Sequence, residues 1–290
     1  MAAGTGGRQR TEAQRLAGEL RRLRGLSGLS GRELARRIGT SQSKVSRIES
    51  GMAIPSLPEV TAWATAVGAP NTARDSLMTL TEAVFTEVQG WRDTLRARPH
   101  VQDEIQALET RARTLRTFQP SVVPGMLQTA EYARRVLSFF QVPFAKGDVP
   151  AAVAGRLDRQ LALYETDRQF DFLIAEAALR WRPGERELLL AQLDRISSVS
   201  TLDNVSVGVI PLGAQAVTML THAFVIYDGP GEQDALVSVE TIHAHLVVKN
   251  PADVALYRQR WKLLNEMAIF GGEAQEFISG LTACLKAPPG

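Results

Sequence analysis

The sequence predicts two domains, an all-α domain of five helices followed by a mixed α+β domain with a small sheet covered by helices. Three observations support this prediction. The chain has 290 residues, more than one ordinary domain needs. Apolar residues recur at helical spacing through the first 90 residues. In contrast, FDFLIAE (170–176) and NVSVGVIP (204–211) show the apolar run and the alternation that are typical of strands.

Changes in composition along the chain set the domain boundaries. The boundaries are 1–12 for a flexible basic tail, 13–88 for the helical domain, 89–104 for a linker and 105–286 for the second domain. The linker loses helical periodicity and contains Gly90 and Pro99, which interrupt regular structure. We therefore expect the two domains to fold around separate cores.

Charge is distributed unevenly between the two parts. Residues 1–60 contain eleven Arg or Lys and five Asp or Glu, a balance of +6, whereas the whole chain carries only +2. A basic first domain is typical of polyanion binding, although a solvated helical surface has the same composition. One cysteine, Cys284, excludes an internal disulfide framework, and no stretch is long and apolar enough for a membrane span. We therefore expect a cytoplasmic protein without a membrane partner.

Start and stop signals define the helices of the first domain. Leu16, Leu20 and Leu23 form one apolar stripe of the first helix. Ser30 with Glu33 and Ser56 with Glu59 form capping boxes that predict the starts of the second and fourth helices, and Asn71 predicts the start of the fifth. Gly39 and Gly51 predict the ends of the second and third helices. The third helix therefore lies within GTSQSKVSRIESG (39–51), where Thr40, Ser41 or Ser43 can cap it.

The third helix has an unusual distribution of side chains. Val45 and Ile48 define its buried side, and the remaining surface consists of short polar and basic residues. Such side chains read base edges and bind phosphates in a major groove. A helix-turn-helix also needs a small residue where its helices cross, a turn glycine four positions later, and apolar anchors six and nine positions beyond. Ala35, Gly39, Val45 and Ile48 match this spacing.

The segment LRRLRGLSGLSGRELARRIGTSQSKVSRIESG resembles the Cro/repressor-type (xenobiotic response element) helix-turn-helix family, over about residues 14–69. The resemblance implies that the third helix enters the major groove of double-stranded DNA. It implies base contacts by Gln42, Ser43, Lys44 and Arg47, with Gln42 directed to adenine and Arg47 to guanine. It implies phosphate contacts by Thr40, Ser41 and Ser46. It also implies an Arg24–Glu49 pair that supports the recognition helix together with Ala35, Gly39, Val45 and Ile48.

The second domain alternates predicted helices and strands. Ile105, Leu108, Ala112 and Leu115 have helical spacing. Further helices are predicted from Thr129, over 149–165, from Pro183 to Ser198, from Pro251 and over 273–286. HAFVIYD and ALVSVE flank a turn sequence and predict a hairpin. Trp261, Phe270 and Phe277 in the terminal helices are candidates for dimer contacts.

Several segments of the second domain resemble the C-terminal domain of actinobacterial WhiJ-like regulators over about residues 105–282. They are LETRARTLRTFQPSVVPGMLQTAEYARRVL, RLDRQLALYE, FLIAEAALRW, QLDRI and VSVGVIPL, in that order. The resemblance implies a regulator implicated in development and secondary metabolism. Such proteins are often encoded beside a small partner protein and are sometimes described as antitoxin-like.

Charged and polar residues of the second domain form a candidate ligand or partner surface: Arg156, Arg159, Gln160 and Glu176. The alternative is that they form ion pairs between helix and sheet. His222, His243 and His245 lack further ligands at metal spacing, so we interpret them as histidines on a strand surface and predict no metal or cofactor.

The sequence therefore predicts a dimeric, sequence-specific transcriptional regulator that binds an inverted repeat, with a second domain for dimerisation and signal binding. The alternative is an antitoxin-like protein that binds a small protein and regulates its own synthesis. An enzyme domain fused to a DNA-binding head is a minor alternative, because no catalytic motif is present.

Overall fold

The computed structural model describes residues 12–90, 112–139, 148–229, 231, 235–242 and 244–287. The chain divides into two compact units, Met1–Glu87 and Val88–Gly290. The predicted fold class is confirmed, because the first unit is helical and the second combines a mixed sheet with helices.

The first unit contains five helices, whose bounds are α1 (Glu12–Leu26), α2 (Gly31–Arg37), α3 (Gln42–Glu49), α4 (Leu57–Ala66) and α5 (Asn71–Phe85). Its core is built around Leu20, Leu34 and Trp63, none of which has measurable exposure. Both predicted capping boxes are formed. The Glu33 amide donates to Ser30 Oγ at 3.2 Å, and the Ser30 amide donates to the Glu33 carboxylate at 2.8 Å. Local sequence signals therefore set these helix starts.

The second unit is built on a mixed sheet. Its first strand, β1 (Thr86–Gly90), begins two residues before the unit boundary, and the others are β2 (Thr114–Gln119), β3 (Gln169–Ala175), β4 (Val205–Ile210), β5 (Phe224–Asp228), β6 (Leu236–Glu240) and β7 (Ala244–Val248). The strand order is β1-β7-β6-β5-β2-β3-β4. Strand β3 pairs in parallel with β2 and β4, whereas β2, β5, β6 and β7 pair successively in antiparallel fashion. The predicted hairpin is β5–β6.

Helices cover both faces of this sheet. Their bounds are α6 (Ala130–Ser138), α7 (Asp148–Arg159), α8 (Glu176–Arg180), α9 (Arg186–Val199), α10 (Pro251–Glu266) and α11 (Gly271–Lys286), with 3-10 turns at Gly125–Leu127 and Gln160–Tyr164. Helices α9 and α11 pack on the face that carries Phe172, whereas α10 packs on the face that carries Leu173. Strand β3 is therefore apolar on both sides, as expected for a strand between two layers.

Gly208 in β4 lies where a helix start approaches the sheet. A Cβ atom at this position would lie 2.4 Å from a ring carbon of Phe270 and 2.7 Å from Leu173. Only glycine therefore allows this close packing.

Some element boundaries differ from the sequence predictions. The helix predicted through Ala112 and Leu115 is wrong at its end, because Ala112 precedes a strand and Leu115 lies in β2, where it is buried in the core of the second unit. Ile105 and Leu108 lie outside the described residues. Residues 89 and 90 of the predicted linker belong to β1, and 91–104 lie outside the described residues. Helix α9 starts at Arg186 rather than Pro183, and the short helix α8 was not predicted.

Candidate functional site

Helix α3 is positioned by a tight turn after α2. Gly39 has a φ of +68°, a conformation that favours glycine. This turn lets the Thr40 amide donate to the Ala35 carbonyl at 2.9 Å. Ser41 then caps α3, since its hydroxyl accepts from the Lys44 amide at 3.1 Å. The turn therefore sets the direction in which α3 leaves α2.

One side of α3 is buried and the other faces solvent. Val45 and Ile48 are 1% and 2% exposed, and they pack in the core of the first unit. The exposed side chains of this helix form the recognition face, which consists of Gln42, Ser43, Ser46 and Arg47. Thr40, in the turn, is half-buried and Ser41 is exposed. The arrangement presents amide, hydroxyl and guanidinium groups in one row.

Arg24 and Glu49 hold the end of α3 against α1. The Arg24 Nε and Nη2 atoms donate to the two carboxylate oxygens of Glu49 at 2.5 and 2.9 Å. Arg24 Nη1 also donates to the Leu29 carbonyl at 2.8 Å. The hydrogen bond to Glu49 raises the pKa of Arg24, and the two side chains are only 20% and 12% exposed. The two residues are therefore brought together as a partly buried, two-pronged ion pair.

Lys44, which the resemblance places among the base contacts, forms an ion pair with the start of α4. Its Nζ atom lies 2.5 Å from Glu59 Oε1, at the start of α4, and the side chain is half-buried. Burial raises the pKa of Glu59, but hydrogen bonds from Lys44 and Ser56 outweigh it and leave this pKa below the usual value. The sequence identified Glu59 only as a helix cap, and its second partner depends on how α3 and α4 cross.

Two exposed arginines on α2 were not singled out from the sequence. Arg32 and Arg36 lie four residues apart, on the side of α2 opposite the buried residues. The neighbouring Arg37 instead donates to the Ala66 carbonyl at 3.2 Å. The basic surface of the first unit is therefore larger than α3 alone.

In the second unit, only part of the predicted ligand surface comes together. Arg156 and Arg159 line a cavity of about 210 Å³. Gln160 is buried outside this cavity, where its amide donates to the carbonyls of Gly125 and Gln128 at 3.2 and 2.7 Å. The structure therefore brings Arg156 and Arg159 together at one cavity and places Gln160 apart from them.

Glu176 does not face this cavity. Its carboxylate accepts from the Leu212 amide at 2.8 Å and from Arg180 Nε at 2.6 Å. Burial raises the pKa of Glu176, but these hydrogen bonds outweigh burial and lower it. Glu176 therefore pairs within its own helix and holds the loop after β4, which differs from the predicted ion pair between helix and sheet.

The histidines also differ from their interpretation as strand-surface residues. His245 is buried in β7, and its Nε2 atom lies 2.7 Å from Ser238 Oγ in β6. His222 is largely exposed, and its ring lies 3.3 Å from the Tyr257 hydroxyl. Partial loss of solvent around the ring, together with the charge of Arg260, lowers the pKa of His222. His243 lies outside the described residues. Within the described part of the chain, no group of three or more His, Cys, Asp or Glu could hold a metal ion.

A five-helix unit with this turn and this exposed helix defines a DNA-binding protein of the helix-turn-helix class, as expected of a transcriptional regulator. A family model described as a helix-turn-helix domain matches residues 15–77. A second family model, described as "Domain of unknown function (DUF5753)", matches residues 102–280, and the chain belongs to this family. No curated protein matches the chain significantly.

One solved structure aligns with most of the chain at low similarity. It is described as "Structure of TrmBL2, an archaeal chromatin protein, shows a novel mode of DNA binding". The alignment covers 87% of this chain and 92% of that chain, with 12% identity and a TM-score of 0.29. At this score the similarity carries no argument about this protein. Within the residues that the structure describes, no helix is long and apolar enough to cross a membrane.

Proposed function

We propose that the protein is a sequence-specific transcriptional regulator that binds an inverted repeat as a dimer and uses its second domain for dimerisation and signal binding. The observation that carries this proposal is the recognition face. Its four side chains are exposed, while Val45 and Ile48 on the opposite side are buried. These side chains supply the donors and acceptors that read base edges and bind phosphates in a major groove.

The side chains of the recognition face suit different contacts. Arg47 can donate two hydrogen bonds to guanine, and Gln42 can exchange two with adenine. Ser46 and Thr40 suit phosphate oxygens, as does Ser41, whose hydroxyl can still donate while it caps α3. Lys44 is held by Glu59, so we assign it a supporting role beside the groove rather than base recognition.

A binding-site selection experiment tests this assignment. Arg47→Ala in the full chain should relax the preference at one base pair per half-site and weaken cognate binding by about 1–3 kcal/mol. The matched control is Arg21→Ala, which removes an exposed arginine from α1 and should leave the sequence preference unchanged. An unchanged preference in the Arg47 variant would remove this residue from base recognition.

The dimer rests on exposed apolar residues of the second unit. Trp261 and Phe270 pack against the second unit's own core beneath α10, and Phe277 packs beneath α11, so they are partly used within the domain. The exposed apolar side chains lie elsewhere. Met219 and Leu256 are 67% and 63% exposed. Arg260 Nη1 donates to the Met219 carbonyl at 3.0 Å. This hydrogen bond brings the loop that contains Met219 and Leu220 beside the outer side of α10. We call Met219, Leu220 and Leu256 the apolar patch.

Equilibrium sedimentation tests the dimer. The full chain should be a dimer at micromolar concentration, because one recognition helix rarely gives operator-grade affinity. Two such helices spaced about 34 Å apart would match an inverted repeat. The variant Met219→Glu/Leu256→Glu should be monomeric. Ile242→Glu, at an equally exposed apolar position between β6 and β7, is the control and should remain dimeric. A monomeric wild-type chain would contradict the proposal.

The same apolar patch also favours a second candidate, an antitoxin-like protein that binds a small protein partner. The resemblance to WhiJ-like regulators supports this candidate, because such regulators are often encoded beside a small protein. Co-expression with the product of an adjacent small gene separates the two. A stable complex that is lost in Met219→Glu/Leu256→Glu and retained in Ile242→Glu would favour the second candidate.

A further inference from the structure

The cavity of the second unit has a floor made by three antiparallel strands. Thr117 of β2, Val225 of β5 and Ser238 of β6 are neighbours in register and form one row across the floor. The row on one side contains Leu115 and Tyr227 and is apolar. On the other side, Gln119 and Glu240 stand two positions beyond Thr117 and Ser238 on their strands, and the exposure of Glu240 marks the mouth. The floor therefore changes from apolar to polar toward the mouth.

The roof of the cavity is a turn fixed by three buried glutamines. Gln128 Nε2 donates to the Val123 carbonyl at 2.7 Å, Gln160 Nε2 to the Gln128 carbonyl at 2.7 Å, and Gln192 Nε2 to the Leu127 carbonyl at 2.7 Å. Buried amide hydrogen bonds of this kind hold a loop in one conformation. The turn, which contains the 3-10 turn Gly125–Leu127, is therefore held in one conformation.

The same network positions a cation on the roof. Arg156 Nη1 donates to Gln128 Oε1 at 2.8 Å, and the arginine side chain packs against Gly125. Arg159, one turn further along α7, lines the same cavity. Two guanidinium groups therefore border a space whose floor becomes apolar away from the mouth. Arginine binds planar carboxylates with paired hydrogen bonds, which makes it suited to this task.

We infer that this cavity binds a small organic acid, a carboxylate attached to an apolar body, with the carboxylate on Arg156 and Arg159 and the body over Leu115, Val225 and Tyr227. This inference rests on the proposed function, because it names the chemical class of the signal that the second domain receives.

The volume limits the size of the ligand. A cavity of about 150 Å³ holds one benzene ring, so 210 Å³ suits a body of about one to two rings or a chain of similar volume. Ser238 is buried in the floor, and its hydroxyl is hydrogen-bonded to the His245 ring. It therefore offers a hydroxyl of fixed orientation to one polar substituent of the ligand. Pockets of mixed apolar and polar lining are typical of small-molecule sites.

Calorimetric titration of the full chain, without DNA, tests the inference. The probes are 2-naphthoate and octanoate, which represent a flat and a linear body, together with the neutral amides of both. At least one acid should bind with a micromolar Kd, and about tenfold or more tightly than its amide, because only the acid can pair with the arginines. Failure of both acids to bind, or equal binding of acid and amide, would overturn the inference.

Substitutions locate the binding site. Arg159→Gln and Arg156→Gln should each remove the preference for the acid over the amide. Arg180→Gln, an exposed arginine paired with Glu176 outside the cavity, is the matched control and should leave both affinities unchanged. Val225→Phe should fill the cavity and abolish binding of both acid and amide. Since Arg156 also holds Gln128, the Arg159 and Val225 variants keep the test valid even if Arg156→Gln unfolds. Unchanged acid preference in Arg159→Gln, or full binding in Val225→Phe, would place the acid elsewhere and overturn the inference.

The two proposals fail separately. If binding-site selection finds a preferred DNA sequence and no acid binds, only the ligand inference fails. If an acid binds with the expected preference and no DNA sequence is selected, the site remains and the proposed regulatory function fails.

Discussion

The Arg24–Glu49 pair allows a quantitative test of how the recognition helix is held. An exposed ion pair contributes at most about 1 kcal/mol, and breaking a fully buried one costs about 3–5 kcal/mol. The side chains here are 20% and 12% exposed, so the pair lies between these cases. We expect Glu49→Ala to lower the free energy of unfolding by about 1–2 kcal/mol. Arg24→Ala also removes the hydrogen bond to the Leu29 carbonyl, and should cost about 2–3 kcal/mol.

Urea unfolding of the fragment 1–88 measures these changes, since this region has its own hydrophobic core. The double variant should lose about 1–2 kcal/mol less than the sum of the single losses, because each substitution removes the same contact. The single variants Glu49→Ala and Arg24→Ala should also bind the selected DNA more weakly, because α3 loses its support. Arg22→Ala, which breaks the exposed pair with Glu19 on the same helix, is the control and should change little. Strictly additive losses would refute the reasoning.

Three further predictions concern packing, acid stability and base recognition. Gly208→Ala should destabilise the second unit by about 1–3 kcal/mol in calorimetry, because the added Cβ would overlap Phe270. A Cβ added at Gly213 would meet no atom within 4 Å, so Gly213→Ala is the control and should not destabilise the unit. Equal melting temperatures of the two variants would contradict this prediction. Folding lowers the pKa of Glu59 from 4.5. The stabilisation that the ionised Glu59 gives to the folded state is therefore complete above about pH 4.5 and is lost as the pH falls through the lowered pKa. Glu59→Gln should therefore flatten the acid dependence of unfolding for 1–88, and identical pH profiles would argue against the ion pair. Lys44→Gln should leave the selected DNA sequence unchanged, and a new base preference would return Lys44 to direct readout.

The helical unit illustrates what local sequence can predict. Ser30 and Ser56 cap their helices because their partners Glu33 and Glu59 lie three residues away, within the same turn. Gly39 ends α2 because its φ of +68° suits glycine. These signals involve neighbouring residues, so no tertiary contact is needed to read them.

Other features depend on contacts between distant segments. The spacing of Ala112 and Leu115 fits a helix, yet pairing with β3 and β5 places Leu115 in a strand. Likewise, Lys44 has the residue type of a groove contact, but the crossing of α3 and α4 brings it to Glu59. Periodicity reports which side of an element is apolar and not which element lies against it.

The sequence by itself determined the helix-turn-helix domain, its boundaries between helices and the direction of the recognition face, because these follow from caps, glycine conformations and helical periodicity. Only the tertiary structure decided that Arg156 and Arg159 border a cavity with Thr117, Val225 and Ser238, while Gln160 supports the roof and Glu176 lies apart. The physical reason is that these residues come from segments separated by tens of positions, and the order of strands in the sheet brings them together. Short-range sequence patterns do not predict the order of strands in a sheet.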